Sequence, residues 1–161
     1  TGLMGQYAHG NEPSHHMAYL YSYVGQPWKT QELTRRLLDE MYAPTPEGII
    51  GNEDCGQMSA WYIFGAMGFY PVCPATTKYA IGSPIFNRVD IAVGDGRTFT
   101  IEAEGTSPEN KYIQSITLNG KPYRSLWLDH SDLMKGGTLR LTMGPRPNYS
   151  LTDETTAKKL K

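Results

Sequence analysis

Gly51-Asn52-Glu53-Asp54-Cys55-Gly56-Gln57-Met58-Ser59-Ala60-Trp61-Tyr62-Ile63-Phe64-Gly65-Ala66-Met67-Gly68 changes abruptly from polar to apolar. The second part, from about Gly56 to Met67, predicts a helix that is apolar on nearly every side, and such a helix is normally buried all round. Gly68 and then Pro71 end it. The first part is too polar for its surroundings. Asp54 directly precedes the helix, where an N-cap carboxylate would accept backbone N–H bonds and be favoured in its ionised form. Glu53 adds a second acid, and Gly51 and Gly56 let the backbone approach a ligand closely.

Upstream, the spacing is also helical. Glu12-Pro13 places a proline where a first helical turn tolerates it. Met17, Leu20, Tyr21 and Val24 follow on one predicted face, with Gly25 as the stop. Gln26-Pro27 opens a second helix whose Leu33, Leu37, Leu38 and Met41 share a face, with Arg36 and Glu40 four residues apart on the wetter side. A link this short predicts an αα-hairpin. Ala43-Pro44-Thr45-Pro46-Glu47-Gly48 is a loop.

Downstream of Pro74 the period becomes two. Val89, Ile91 and Val93 alternate before Gly94-Asp95-Gly96, and Phe99, Ile101 and Ala103 alternate after it. Ile116 and Leu118 lead to Asn119-Gly120, a hairpin signal because both residues of a type I′ turn need positive φ. Leu139, Leu141 and Met143 form a last strand. The expected fold class is α+β: residues 1–74 helical, 75–149 antiparallel and β-rich, and 150–161 a polar tail expected to fray.

The chain has 161 residues and a formal net charge of -1. Such a balance disfavours nucleic acid as a partner, which needs a basic surplus on one face. No apolar run reaches bilayer length, so no membrane span is expected. The start at Thr1, with neither initiator Met nor signal-peptide pattern, reads as a piece of a longer chain. Cys55 and Cys73 have neither CxxC nor zinc spacing and are expected to be unpaired, mostly buried thiols. The 11 Tyr and 3 Trp, against 4 Phe, would suit sugar contacts, because such rings stack while their tips hydrogen-bond.

Two other stretches concentrate polar groups. His9-Gly10-Asn11-Glu12-Pro13-Ser14-His15-His16 holds imidazoles beside oxygen donors. His15 and His16 diverge on a helix, so zinc is disfavoured, whereas Asn11 and Glu12 suit calcium or a sugar hydroxyl. Either could instead cap a helix. Leu128-Asp129-His130-Ser131-Asp132 has the constituents of a triad but no nucleophile elbow, so a capped turn is the better reading.

The two segments His9–His16 and Gly51–Tyr62, with Gly68-Phe69-Tyr70-Pro71, Leu128–Asp132 and Gly144-Pro145-Arg146-Pro147-Asn148, resemble signature segments of family 92 glycoside hydrolases. The resemblance implies part of an α/α toroid followed by a small β-rich C-terminal portion. It implies exo-α-mannosidase activity on mannose-containing glycans such as N-glycans, by calcium-assisted inverting hydrolysis, with α-1,2 as the working linkage. Asp54 takes the position of the general base, with Asn52 and Glu53 beside it in the catalytic loop. Asn52 stands where many members carry Asp; it can orient water or sugar but cannot deprotonate. His9 and Glu12 would line the sugar, and Asn11 and Glu12 would hold Ca2+. The family's general acid lies in an upstream motif with no counterpart here, so the partner supplying it would be the N-terminal part of the same parent protein. A periplasmic or secreted location is implied by resemblance alone. The rival reading is a non-catalytic carbohydrate-binding or structural module, which would present Tyr112, Tyr123 and Trp127 from its strands.

Overall fold

The computed structural model describes residues 2–151. The tail expected at 150–161 therefore lies almost wholly outside the described residues. The chain opens with a small antiparallel pair, β1 (Leu3–Met4) and β2 (Tyr7–Ala8). Two 3-10 turns, Glu12–Ser14 and Met17–Tyr19, lead into the short α1 (Leu20–Tyr23), followed by α2 (Pro27–Glu40) and α3 (Gln57–Met67). The strands are β3 (Phe69–Tyr70), β4 (Lys78–Ile81), β5 (Arg88–Gly94), β6 (Arg97–Glu104), β7 (Tyr112–Leu118), β8 (Lys121–Pro122) and β9 (Trp127–Asp129). A short α4 (His130–Met134) then precedes β10 (Gly137–Gly144).

The first predicted helix is where the periodicity misleads. Met17, Leu20, Tyr21 and Val24 are exposed, whereas Ala18, Tyr19 and Ser22 are buried. α1 meets α2 through small and polar groups, because close approach needs them: Ser22 Oγ donates to Thr30 Oγ1 at 3.1 Å. Tyr19 stacks on Tyr70 with ring centroids 5.0 Å apart. In α2 the expected face holds, with Leu37, Leu38 and Met41 buried. α3 occupies the predicted span, but it is not buried all round: Ile63 is 54% exposed. Its inner face carries Met58, Trp61, Gly65 and Ala66. Gly68, at φ 99°, ends it beside Pro84, whose ring a Cβ would meet at 2.8 Å.

The β-rich half follows the predicted alternation, with one departure. Its five-stranded sheet has the order β5-β6-β10-β7-β8, and β10 pairs parallel with β6. The other pairings in this sheet are antiparallel. A parallel neighbour requires a long crossover, here the chain through β7, β8, β9 and α4. Asn119 with Gly120 take the positive φ expected of that hairpin turn, and Asp95 with Gly96 also have positive φ in the turn between β5 and β6. Asp129 caps α4 by accepting from Ser131 N at 2.9 Å, as the turn reading required.

The change of period after Pro74 is not a gap in the structure. β3 pairs with β4 across it, Phe69 opposite Ile81. Buried Arg35 of α2 donates to the carbonyls of Pro84 and Ser107 and to Thr106 Oγ1. Gln31 Oε1 accepts from Ile113 N at 3.0 Å. Both cysteines are free, but exposed rather than buried, and neither belongs to the two apolar clusters.

Candidate active site

The turn carrying Asn11 and Glu12 and the loop carrying Asn52, Glu53 and Asp54 come together through two glycines. Gly51 has φ 79°, and a Cβ there would lie 2.7 Å from Gly10 O. Only glycine permits backbone to lie on backbone so closely. The approach brings the Glu12 and Asp54 carboxyls within hydrogen-bonding reach of each other. Two ionised carboxylates are acceptors only, so the contact requires a shared proton or a cation. Glu12 Oε1 is buried and finds no donor among the described residues. The facing Glu12 raises the Asp54 pKa above its ordinary value, through the hydrogen bond first, then desolvation and like charge. Glu12 is held below its usual value by that same bond and by its own backbone N–H.

Asp54 does not cap α3. The N-cap is Gly56, and both Asp54 (φ 48°) and Cys55 (φ 58°) lie in the left-handed region. The backbone therefore turns sharply before the helix, leaving the Asp54 side chain exposed. The capping carboxylate is Glu53, whose Oε1 accepts from Ser59 N at 3.0 Å. Asn52 and Asn11 are both exposed, and Asn11 caps nothing.

His9 is fully buried, which argues against its expected contact with sugar. Its Nδ1 faces Tyr7 Oη at 2.9 Å and its Nε2 faces Tyr42 Oη at 2.7 Å. Tyr42 Oη donates to Met58 O at 3.0 Å, so it must accept from His9 Nε2–H. Nδ1 is then the acceptor for Tyr7. Burial lowers the His9 pKa to about 4, with the like-charge influence of His15 second, so the ring is neutral. His15 donates from Nε2 to His9 O at 2.9 Å, leaving Nδ1 to accept from Gln57 Nε2 at 3.1 Å. Trp61 Nε1 donates to His15 O at 3.1 Å, and its ring meets His9 edge-on. This cage of Tyr7, His9, His15, Tyr42, Gln57, Trp61 and Tyr70 is the part of the site that residue spacing does not reveal. His9, His15, Gln57 and Trp61 lay in the two quoted segments, whereas Tyr7, Tyr42 and Tyr70 left a trace only in the tyrosine-rich composition.

A cavity of about 540 Å³ has neither Glu12 nor Asp54 in its lining. Tyr42, Pro44, Ile49, Tyr62 and Ile63 give it a mainly apolar lining suited to packing rather than to polyol recognition. Among the described residues no group of three or more His, Cys, Asp or Glu side chains forms a metal cluster.

Residues 1–145 match the glycosyl hydrolase family 92 catalytic domain. The chain belongs to glycosyl hydrolase family 92. Its fold matches a family GH92 alpha-mannosidase of Bacteroides thetaiotaomicron with a TM-score of 0.89 and 44% identity, over 92% of this chain and 20% of that one. A family GH92 inverting mannosidase from Bacteroides thetaiotaomicron VPI-5482 matches with a TM-score of 0.85 and 48% identity, over 91% of this chain and 20% of that one. An uncharacterized secreted glycosidase of Arthroderma benhamiae is 37% identical over 138 residues, 84% of this chain and 18% of the relative. The chain thus spans about a fifth of the length of these relatives. No helix among the described residues is long and apolar enough to cross a membrane.

Proposed function

We propose that this chain forms the general-base side of an inverting exo-α-mannosidase site acting on mannose-containing glycans outside the cytoplasm, with α-1,2 as the working linkage. The observation that carries the reading is the meeting of Asp54 with Glu12, in a chain whose family includes proteins named as mannosidases. An inverting glycosidase activates water with one carboxylate and protonates the leaving oxygen with a second, the two roughly 6.5–9.5 Å apart. Asp54 and Glu12 are in direct reach, too close to bracket a water in this way, so they belong to one side of such a site. The acid would come from another segment of the parent protein. Asp54 is exposed, and its raised proton affinity suits a group that takes a proton from water. Asn52, on the same loop, would orient that water or a sugar hydroxyl.

The orphaned Glu12 Oε1 and the exposed Asn11 amide are oxygen donors of the kind that calcium takes, and they would hold it together with sugar hydroxyls and water. When bound, the ion would polarise and orient vicinal hydroxyls of the glycone. The rival binding-module reading draws no support from the strand aromatics. Tyr112 is buried, Tyr123 Oη donates to Trp127 O, and Trp127 packs against Tyr23. The test is hydrolysis of α-linked mannobiose by the full-length parent with and without calcium, alongside its Asp54→Asn variant. The reading expects loss of at least about 100-fold in kcat for the variant and loss of activity on chelation. An Asp54→Asn enzyme as active as the parent would overturn it.

A further inference from the structure

Besides the Gly10–Gly51 contact, the turn bearing Glu12 and the loop bearing Asp54 are linked through the Gln57 side chain, and we propose that Gln57 is a positioning residue for this site, acting through His15 to keep Glu12 in register with Asp54. The proposal rests on the mannosidase reading of the carboxyl pair.

The connections form a ring. Gln57 N–H donates to Asp54 O at 3.2 Å, holding the Asp54 turn against the start of α3. The same residue donates from Nε2 to His15 Nδ1 at 3.1 Å and to Tyr70 Oη at 3.2 Å. His15 N–H in turn donates to Glu12 O at 3.0 Å. The Glu12 and Asp54 carboxyls close the circuit. The donor roles follow from geometry. His15 Nε2 faces a carbonyl and must carry the proton, so Nδ1 offers a lone pair that only a donor such as the Gln57 amide can satisfy. Tyr70 anchors the other side: it is buried and stacked on Tyr19. Glu53 has no part in this link, since it caps the helix at Ser59. Gln57 alone joins the two loops by both its backbone and its side chain.

Replacing the amide by an apolar group of similar length leaves His15 Nδ1 without a donor and frees the imidazole to turn. A displacement approaching 1 Å at a reacting group lowers a rate by up to about 100-fold. The full-length parent carrying Gln57→Met should therefore lose about 10- to 100-fold in kcat, with KM changed less than about threefold. Because the effect passes through His15, a double variant with His15→Phe should be no slower than the worse single variant by more than about twofold. Cys55, exposed and next to Asp54, gives a readout independent of turnover. Its alkylation by iodoacetamide, followed at that peptide by mass spectrometry, should accelerate several-fold in Gln57→Met. Gln57→Glu, which keeps the shape but loses the donors, carries the same expectation should the Met variant not fold.

Parental kcat together with a parental Cys55 rate in a folded variant would overturn the proposal, as would losses that multiply in the double variant. Asp54→Asn is assayed in parallel. If that enzyme stays fully active the mannosidase reading falls, and the role of Gln57 is decided by the Cys55 rate alone.

Discussion

Glu12 and Asp54 meet carboxyl to carboxyl, and the contact raises the proton affinity of Asp54 while lowering that of Glu12. Neutralising Glu12 should reverse the first effect. In the calcium-free protein, Glu12→Gln should let Asp54 ionise at lower pH, read from its side-chain carboxyl carbon shift in an NMR pH titration. An Asp54 titration that stays in place or moves up would refute the pairing as the cause.

Glu53 lies next to Asp54 yet serves the helix. Glu53→Ala should destabilise the protein by about 1 kcal/mol, as loss of a helix cap does. The kcat should stay within about tenfold of the parent, against about 100-fold or more for Asp54→Asn. Thermal denaturation and steady-state kinetics on the two variants separate these roles.

Gly51→Ala tests the close approach of the two loops. The new Cβ meets Gly10 O at 2.7 Å and the residue must hold φ 79°. A loss of about 1–3 kcal/mol is expected, with a fall in kcat although no chemical group has been removed. Denaturant titration gives the first quantity, and a variant of parental stability would count against the geometry.

His9 makes stability depend on pH. Its folded pKa of about 4 lies below the ordinary 6.5, so folding favours the neutral ring. The contribution is fully present above pH 6.5 and is lost as pH falls from there towards 4, where the folded state also takes up the proton. The loss is on the order of 2 kcal/mol. His9→Phe should flatten that slope in urea titrations between those limits.

The sequence disclosed the strands and the Leu37, Leu38 face of α2 well, because there the bulky apolar residues are also buried, while the polar Thr30, Gln31, Thr34 and Arg35 that α2 also buries gave no apolar signal. Val93, Phe99, Ile101, Leu139 and Leu141 alternate and are buried as the pattern requires. It misled at α1, where burial goes to Ala18 and Ser22 so that two helices can approach, and a count of large apolar residues picks the opposite face. The juxtaposition of the two polar segments was not legible either. It depends on Gly10 lying against Gly51, a backbone contact without any side-chain signature. Asp54 was singled out from its motif, but its partner could be seen only in three dimensions. The capping role passed from Asp54 to Glu53 because two consecutive left-handed residues turn the backbone before α3 begins.

Arg35 and Gln31 project from α2 into the strand-rich half and bond to chain as distant as Ser107 and Ile113. A helix whose buried guanidinium depends on carbonyls that far along the sequence cannot complete its hydrogen bonding until those strands have formed. The strand-rich half is therefore not a detachable accessory. A truncation that removed it would strip Arg35 and Gln31 of their partners and bare the face of α2 that packs against β7, weakening the helix hairpin itself.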